Sequence, residues 1–352
     1  MAEVTEHDDA GAMPGIDAPS VTAWLADRVE VDPPLRFERI VGGLSNLTFR
    51  VTDQRGRRWV LRRPPLGHVL ATAHDMGREA RILTALAATP VPVPPVVDLC
   101  TDEEVNGATF YVMDHVDGIV AASSAAADPL DTAARHRAGA SLIDVLATIH
   151  SVDVDDVGLA DLGRREAYVE RQLSRWQRQW DATRDVDVPE MDELHRRLTS
   201  SVPEQGPATI VHGDYRLDNC LIRTDGSVAA VLDWELCTLG DPLADLGLLF
   251  VYWAERGDTF RVNDDAATLL DGFPTRAELL ARYADITGRD TSAIGYHVAL
   301  GYWKLACILQ GVIVRFRQGA MGDGSTEGTL ADGPVVRLAA AGLHALDGRF
   351  GG

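Results

Sequence analysis

Between Val211 and Ile222 the chain reads Val-His-Gly-Asp-Tyr-Arg-Leu-Asp-Asn-Cys-Leu-Ile, so Asp214, Arg216, Asp218 and Asn219 crowd between apolar residues. Polar groups this dense beside a core must be hydrogen-bonded, solvated or holding an ion. A second apolar run, Val228 to Leu232, ends on Asp233. A carboxylate there does little for solubility and is well placed to face a cleft. Asn219 and Asp233 offer hard oxygens suited to Mg2+, which keeps several waters and joins to substrate phosphates. Asp214 lies five residues before Asn219 and can approach the same cleft from the other side of the loop. A carboxylate that accepts a hydroxyl proton beside such a metal is what phosphoryl transfer asks for. The competing reading makes Asp214 and Asn219 turn formers and Asp233 a helix cap. The three together favour metal and base. A metallohydrolase would need histidine or further carboxylate ligands at short spacing, which this run lacks.

These residues need elements to hold them. Asp225-Gly226 is a tight-turn signal, so 209–235 reads as a polar hairpin, set among helical segments. Upstream, two short β-like runs flank Gly42-Gly43-Leu44-Ser45-Asn46, and a strand through Trp59–Arg63 is stopped by Pro64-Pro65. Residues 75–88 have the spacing of an amphipathic helix, and Phe110 to Gly118 reads as a buried strand running into a linker. Beyond it, 131–151, 161–181, 189–200 and most of the C-terminal third read as helix. The expected organisation is a disordered leader over 1–19, with Ser20 capping a helix. An N-terminal lobe over 20–117 follows, with a hinge near 113–118, and then a helical C-terminal lobe over 119–352. That is an α+β, bilobal pattern: a small β-rich lobe and a larger helical one.

Composition narrows the partners. Of 352 residues, 33 are basic and 53 acidic, for a net charge of -20. Such a field repels nucleic acid and anionic membranes while leaving room for a local basic pocket. Lys304 is the only lysine; every other basic side chain is arginine. Cys100, Cys220, Cys237 and Cys307 form no CxxC pair, which suits a reducing compartment and buried packing. The acidic N-terminus lacks a signal-peptide pattern, and no stretch spans a membrane without polar interruption, so the expected location is cytoplasmic. Nothing in the sequence specifies an oligomeric state.

His212-Gly213-Asp214 through Asn219, followed by Leu232-Asp233-Trp234-Glu235, resembles the aminoglycoside phosphotransferase and choline kinase-like family, relatives of protein kinases. The branch it looks most like is that of the kinase-like domains found beside acyl-CoA dehydrogenases. The resemblance covers roughly 36–340 and implies a bilobal protein-kinase-like fold, ATP and Mg2+ as cofactors, and a small hydroxylated molecule as acceptor. It implies Asp214 as catalytic base, Asn219 and Asp233 as metal ligands, and His212 as a packing residue of the loop. Gly-Asp-Pro-Leu-Ala-Asp-Leu-Gly at 240–247 also matches, with Asp241 at a helix start and Asp245 bracing the loop.

On the nucleotide side, the resemblance places Gly43, Ser45 and Asn46 over the phosphates. Arg62 stands where lysine is usual, and a guanidinium can bridge phosphates bidentately, although the exchange is not neutral. Glu79 is its expected partner, and adenine is expected against the backbone of Asp114 to Val116. The acceptor pocket is expected between the hairpin and the later helices, where Tyr215, Arg216 and Trp234 can shape it. Two aromatic pairs, Tyr252-Trp253 and Tyr302-Trp303, are expected mainly in the core. Arg315 and Arg317 are available to a phosphate-bearing acceptor. Asp-Trp-Glu in place of Asp-Phe-Gly, with no following Ala-Pro-Glu, argues against a protein kinase. A catalytically inactive nucleotide- or metabolite-binding module is the alternative that Arg62 keeps open.

Overall fold

The computed structural model describes residues 13–40, 46–66, 75–317 and 333–349. Gly43 and Ser45 lie outside the described residues. Helix α1 (Ala18–Ala26) is capped by Asp17, whose carboxylate accepts the Ser20 amide at 3.1 Å, with Pro19 in the first turn. Ser20 therefore sits inside the helix rather than capping it. An aspartate two residues before a proline takes the cap, because that proline has no N–H to satisfy. Residues 13–19, assigned to the leader from sequence, include a buried Ile16 and the start of this helix.

The N-terminal lobe follows as strands β1 (Arg36–Ile40), β2 (Leu47–Thr52) and β3 (Arg58–Arg63), helix α2 (Met76–Leu86), strand β4 (Val96–Cys100), the short helix α3 (Glu103–Asn106) and strand β5 (Phe110–Asp114). The strands form one antiparallel sheet in the order β1-β2-β3-β5-β4. Its two faces differ. Phe49, Val51, Leu61, Phe110 and Val112 pack with Trp24 and Leu25 of α1 in a small separate core. Val60, Tyr111 and Met113 turn the other way, toward α2 and the main core. The period of two along β3 thus sends Arg62 to the cleft face and Arg63 to the opposite one. There Arg63 donates to the carbonyls of Gly15 at 2.6 Å and Asn106 at 2.9 Å.

The linker after β5 is tied down by Ile119, which exchanges backbone hydrogen bonds of 2.8 and 2.9 Å with Ile222. Gly118 permits that approach, since a Cβ there would lie 2.7 Å from the Leu221 side chain. The C-terminal lobe comprises α4 (Thr132–Ser151), α5 (Tyr168–Thr183), α6 (Pro189–Ser200), β6 (Thr209–Val211), β7 (Cys220–Ile222), β8 (Val228–Val231), β9 (Thr238–Gly240), α7 (Leu243–Tyr252), α8 (Arg276–Thr287), α9 (Ile294–Arg317) and α10 (Gly333–Leu346). Residues 161–167 do not join α5 as the sequence suggested. Ala167 is left-handed at φ 50°, which breaks the helical path just before Tyr168. β7 and β8 form the expected hairpin, while β6 pairs with β9 across its base.

Helix α9 is long and apolar enough over Ile294–Arg315 to cross a membrane, yet 67% of that stretch is buried inside the protein. It packs against α5, α6, α7 and α10, and so serves as the central core helix of this lobe. All four cysteines are free and buried.

Candidate functional site

The loop from His212 to Asn219 leaves β6 and enters β7, and its shape is set from beneath. Asp245, wholly buried in the first turn of α7, accepts the amides of His212 at 2.7 Å and Gly213 at 2.8 Å. Burial pushes its carboxyl up, but His150, His212 and the Gly213 amide more than offset this and hold it below the ordinary range. Asp241 in turn accepts the Leu243 amide at 3.0 Å and opens the helix. His212 is buried, its Nε2 lying 2.9 Å from the Leu232 carbonyl and its Nδ1 accepting the Asp214 amide at 3.2 Å. Both imidazole nitrogens are thereby spent on backbone, as the packing role required. Gly213 is at φ 85°, and a Cβ would sit 2.8 Å from the Leu236 carbonyl oxygen, so only glycine fits without strain.

This frame holds Asp214 in the loop with its side chain partly exposed. The Asn219 amide donates to both the backbone carbonyl and Oδ2 of Asp214, each at 2.8 Å. Its carbonyl oxygen is left for another partner. The Asn219 carbonyl of the main chain accepts Leu232 N at 2.8 Å, which sets Asp233 beside it at the end of β8. Asp233 adopts φ 66°, a left-handed conformation uncommon outside glycine and asparagine, and one worth reading as functional strain. Arg216, within the loop, reaches Asp218 at 2.6 Å and Asp214 at 3.4 Å and lies over the Tyr252 ring at 4.8 Å.

Across the cleft, Arg62 binds Asp233 through Nη2 at 2.5 Å and approaches Glu79 through Nε at 3.2 Å. Burial opposes the Arg62 charge, but Glu79 and Asp233 more than restore it. Burial likewise pushes the Glu79 carboxyl up while Arg62 pulls it back. The guanidinium stays protonated, so the contact is ionic. The structure thus brings together Arg62, Glu79, Asp233, Asn219 and Asp214 from four separate stretches of chain.

Of these groups, Arg62, Glu79, Asn219 and Asp233 line one cavity, and Glu79 lines a second as well. The larger, about 640 Å³, lies between the lobes and is lined by Val60, Met113, Ile119, Leu221 and Val231, with Arg62, Asn219 and Asp233 along one side. Asp114 and Val116 line it too. The Asp114 amide donates to the Pro95 carbonyl at 2.8 Å. The second cavity, about 350 Å³, lies on the other side of the His212–Asn219 loop, lined by Gly213, Trp176, Arg175, Gln172 and Lys304 among others. Asn46 borders both cavities and donates to Glu235 at 3.0 Å.

Several sequence expectations about the acceptor side need correction. Tyr215 and Trp234 are wholly buried; Tyr215 donates to the Leu142 carbonyl at 2.7 Å and belongs to the core, while Trp234 lines the larger cavity and not the smaller. Arg317 is paired with Asp185 at 2.5 Å, and neither it nor Arg315 borders either cavity. Lys304 was noted only as the sole lysine. Its Nζ donates to the Gly213 carbonyl at 2.5 Å, directly before Asp214. A lone lysine inside an apolar helix, in a chain otherwise using arginine, was the available signal.

A family model for phosphotransferase enzymes matches residues 36–281. The chain belongs to this phosphotransferase enzyme family. Among relatives of this family member, acyl-CoA dehydrogenase family member 11 of Gallus gallus is 36% identical over 325 residues, covering 88% of this chain and 40% of that protein. The human protein of the same name is 32% identical over 354 residues, covering 96% and 44%. The chain therefore spans less than half the length of these relatives. A solved protein from Ralstonia eutropha JMP134, provisionally named an aminoglycoside phosphotransferase, superposes with a TM-score of 0.78 at 32% identity, covering 94% of this chain and 98% of that one. A macrolide 2'-phosphotransferase type I shares the fold at a TM-score of 0.59 and 19% identity, covering 93% and 98%. The architecture of this phosphotransferase-family chain is accordingly the bilobal, kinase-like one, of a kind consistent with nucleotide-dependent phosphoryl transfer.

Proposed function

We propose that this protein transfers the γ-phosphoryl group of ATP to a hydroxyl of a small molecule, with Asp214 as the base. One observation carries the reading: the Asn219 amide clamps Asp214 by two hydrogen bonds of 2.8 Å. A carboxylate so oriented is poised to accept a hydroxyl proton rather than to brace a turn. The clamp also leaves the Asn219 oxygen facing the same cavity as Asp233.

Among the described residues no cluster of three or more histidine, cysteine or acidic groups can hold a metal alone. That fits Mg2+, which takes one or two protein oxygens and completes its shell with water and phosphate. Asn219 and the free oxygen of Asp233 would hold it. When bound with ATP it would neutralise charge developing on the phosphate oxygens. Arg62, steadied by Glu79, would contact the phosphates, Gly43, Ser45 and Asn46 would cover them, and Asp114 and Val116 would meet the adenine through backbone groups. Asp245 keeps the loop amides fixed so that Asp214 need not reorganise on binding.

A second reading, a nucleotide-binding module without turnover, draws on the Arg62–Asp233 contact, which occupies one of the proposed metal ligands. The deciding experiment measures Mg2+-dependent transfer from ATP to a panel of hydroxylated metabolites and aminoglycosides, with Asp214→Asn beside the parent. Transfer to one compound that falls by about 10²–10⁴-fold in the variant, while calorimetry shows Mg2+-ATP binding retained, is the expected result. Binding without transfer to any compound favours the module, and absence of both binding and transfer removes the proposal.

A further inference from the structure

The 350 Å³ cavity beside the catalytic loop differs from the nucleotide cleft in which of its charges are already engaged. Its acids are all occupied. Asp75 caps α2 by accepting the Arg78 amide at 2.9 Å, Glu79 faces Arg62, and Glu235 accepts Asn46. Arg78 is occupied as well, since its guanidinium donates to the carbonyls of Leu162 and Cys237 and so pins α2 to the C-terminal lobe.

The remaining polar lining includes the hydroxyls of Tyr168 and Thr238 and the side chains of Gln172, Arg175, Trp176 and Lys304, of which the last three can only donate. Lys304, mostly buried at the cavity wall, uses one of its three ammonium hydrogens on the Gly213 carbonyl and lies 5.8 Å from the centre of the Trp176 ring. Trp176 is 5% exposed, and its indole N–H has no partner among the described residues. Gln172 and Arg175, one turn apart on α5, make no hydrogen bond or ion pair with another described residue; Arg175 only rests against Trp176 at 5.0 Å. Only the Trp176 N–H is a buried donor without an acceptor, at a cost on the order of 1–3 kcal/mol; Gln172 is half-buried and Arg175 exposed, so both side chains can turn to a ligand. Burial pushes the Lys304 ammonium toward its neutral form, with Asp214 and Asp245 partly opposing. An incoming negative group would restore the charge.

We infer that the acceptor carries an anionic oxygen group, a carboxylate or a phosphate, seated on Lys304 and Arg175 with its hydroxyl toward Asp214. This rests on the phosphotransferase reading for the hydroxyl's fate, but the anion site stands on its own residues. Lys304 acts on the Gly213 carbonyl and on the ligand at once, so an anion drawn to it lies one residue from the base.

Because Lys304 is the only lysine, protein grown on ¹³C,¹⁵N-labelled lysine gives a single lysine side-chain signal. The intact chain is titrated with γ-hydroxybutyrate, glycerol phosphate, their neutral counterparts butanediol and glycerol, and kanamycin. Each titration is run with and without Mg2+ and a non-hydrolysable ATP analogue filling the nucleotide cleft. The expected result is a saturable shift of the Lys304 signal at millimolar concentration with at least one anion and with neither neutral compound. A shift with γ-hydroxybutyrate alone assigns a carboxylate, and one with glycerol phosphate alone a phosphate. Silence with both anions, or equal shifts from the neutral compounds or kanamycin, overturns the inference. Failure of the ATP analogue to bind would count against the phosphotransferase reading while leaving the anion result legible.

The exposed Arg175→Ala change, which should fold normally, is expected to weaken anion binding about tenfold. Lys304→Met is expected to weaken it further. In turnover, both should raise KM for an anionic acceptor more than they lower kcat, with KM for ATP unchanged. A merely structural Lys304 would instead lower the melting temperature and kcat without that bias toward KM.

Discussion

The two cavities flanking the catalytic loop are built on opposite principles. In the larger cleft the charged groups are closed among themselves: Arg62 lies between Glu79 and Asp233, and Asn219 is bound to Asp214. The rest of the wall mixes an apolar stretch, from Val60 across to Val231, with polar groups at the rim such as Arg58, which is paired with Asp117. In the smaller cavity the acids are engaged and donors are left over. A cleft whose ions neutralise each other can stay folded and wait for a ligand that brings its own counter-ion, as a metal–nucleotide does. A wall of spare donors is complementary to negative charge alone. The difference teaches that two pockets beside one loop are suited to different ligands by which of their charged groups the fold has already paired.

The largest effect should come from breaking the metal side. Asp233→Ala is expected to reduce transfer on the order of 10³-fold and to abolish the Mg2+ dependence of ATP binding by calorimetry. Retained Mg2+ dependence would mean that the two sides have been assigned the wrong way round. Next comes the support common to both cavities. Asp245→Ala strands two buried amides and should destabilise the fold by about 3 kcal/mol in urea titrations, with activity falling on both nucleotide and acceptor terms. An effect confined to one substrate would show that the loop halves are held independently.

Arg62→Lys sharpens the comparison more gently. Lysine keeps the charge but loses the two-pronged contact with Glu79 and Asp233, so KM for ATP should change by about tenfold while acceptor KM stays put. The smallest effect is on pH dependence. Burial holds His150 below its ordinary 6.5, with Asp245 partly opposing. The unfolded chain therefore takes up a proton that the native one resists, and stability should fall as pH drops through 6.5 toward the native value. His150→Gln should flatten that slope in denaturation midpoints measured across the range. An unchanged slope would place the proton uptake elsewhere.

Much of the candidate site was legible because its residues sit in one short stretch. Asp214, Asn219 and Asp233 are polar interruptions of apolar strands, and a polar interruption has to be accounted for by chemistry or by turns. Arg62 and Glu79 were legible only through the family resemblance, which expects a cation on that strand and an acid on the following helix. The acceptor side was much less so. Tyr215 looked like a pocket residue because it flanks the motif, but loop geometry turns it into the core; Trp234, also buried, borders the larger cavity instead of the smaller. The first helix cap and the start of α5 were misjudged through local competition, since Asp17 outcompetes Ser20 and Ala167 turns the chain where the apolar spacing continued.

The sequence by itself determined the two lobes, the hairpin and the class of chemistry, since hydrophobic period, turn residues and motif spacing are local properties. Only the tertiary structure decided which charges are paired. Arg62 and Asp233 are 171 residues apart, and Lys304 and Gly213 are 91 apart. Whether a cation is spent or available depends on which distant carboxylates the fold brings within reach, and no local pattern encodes that.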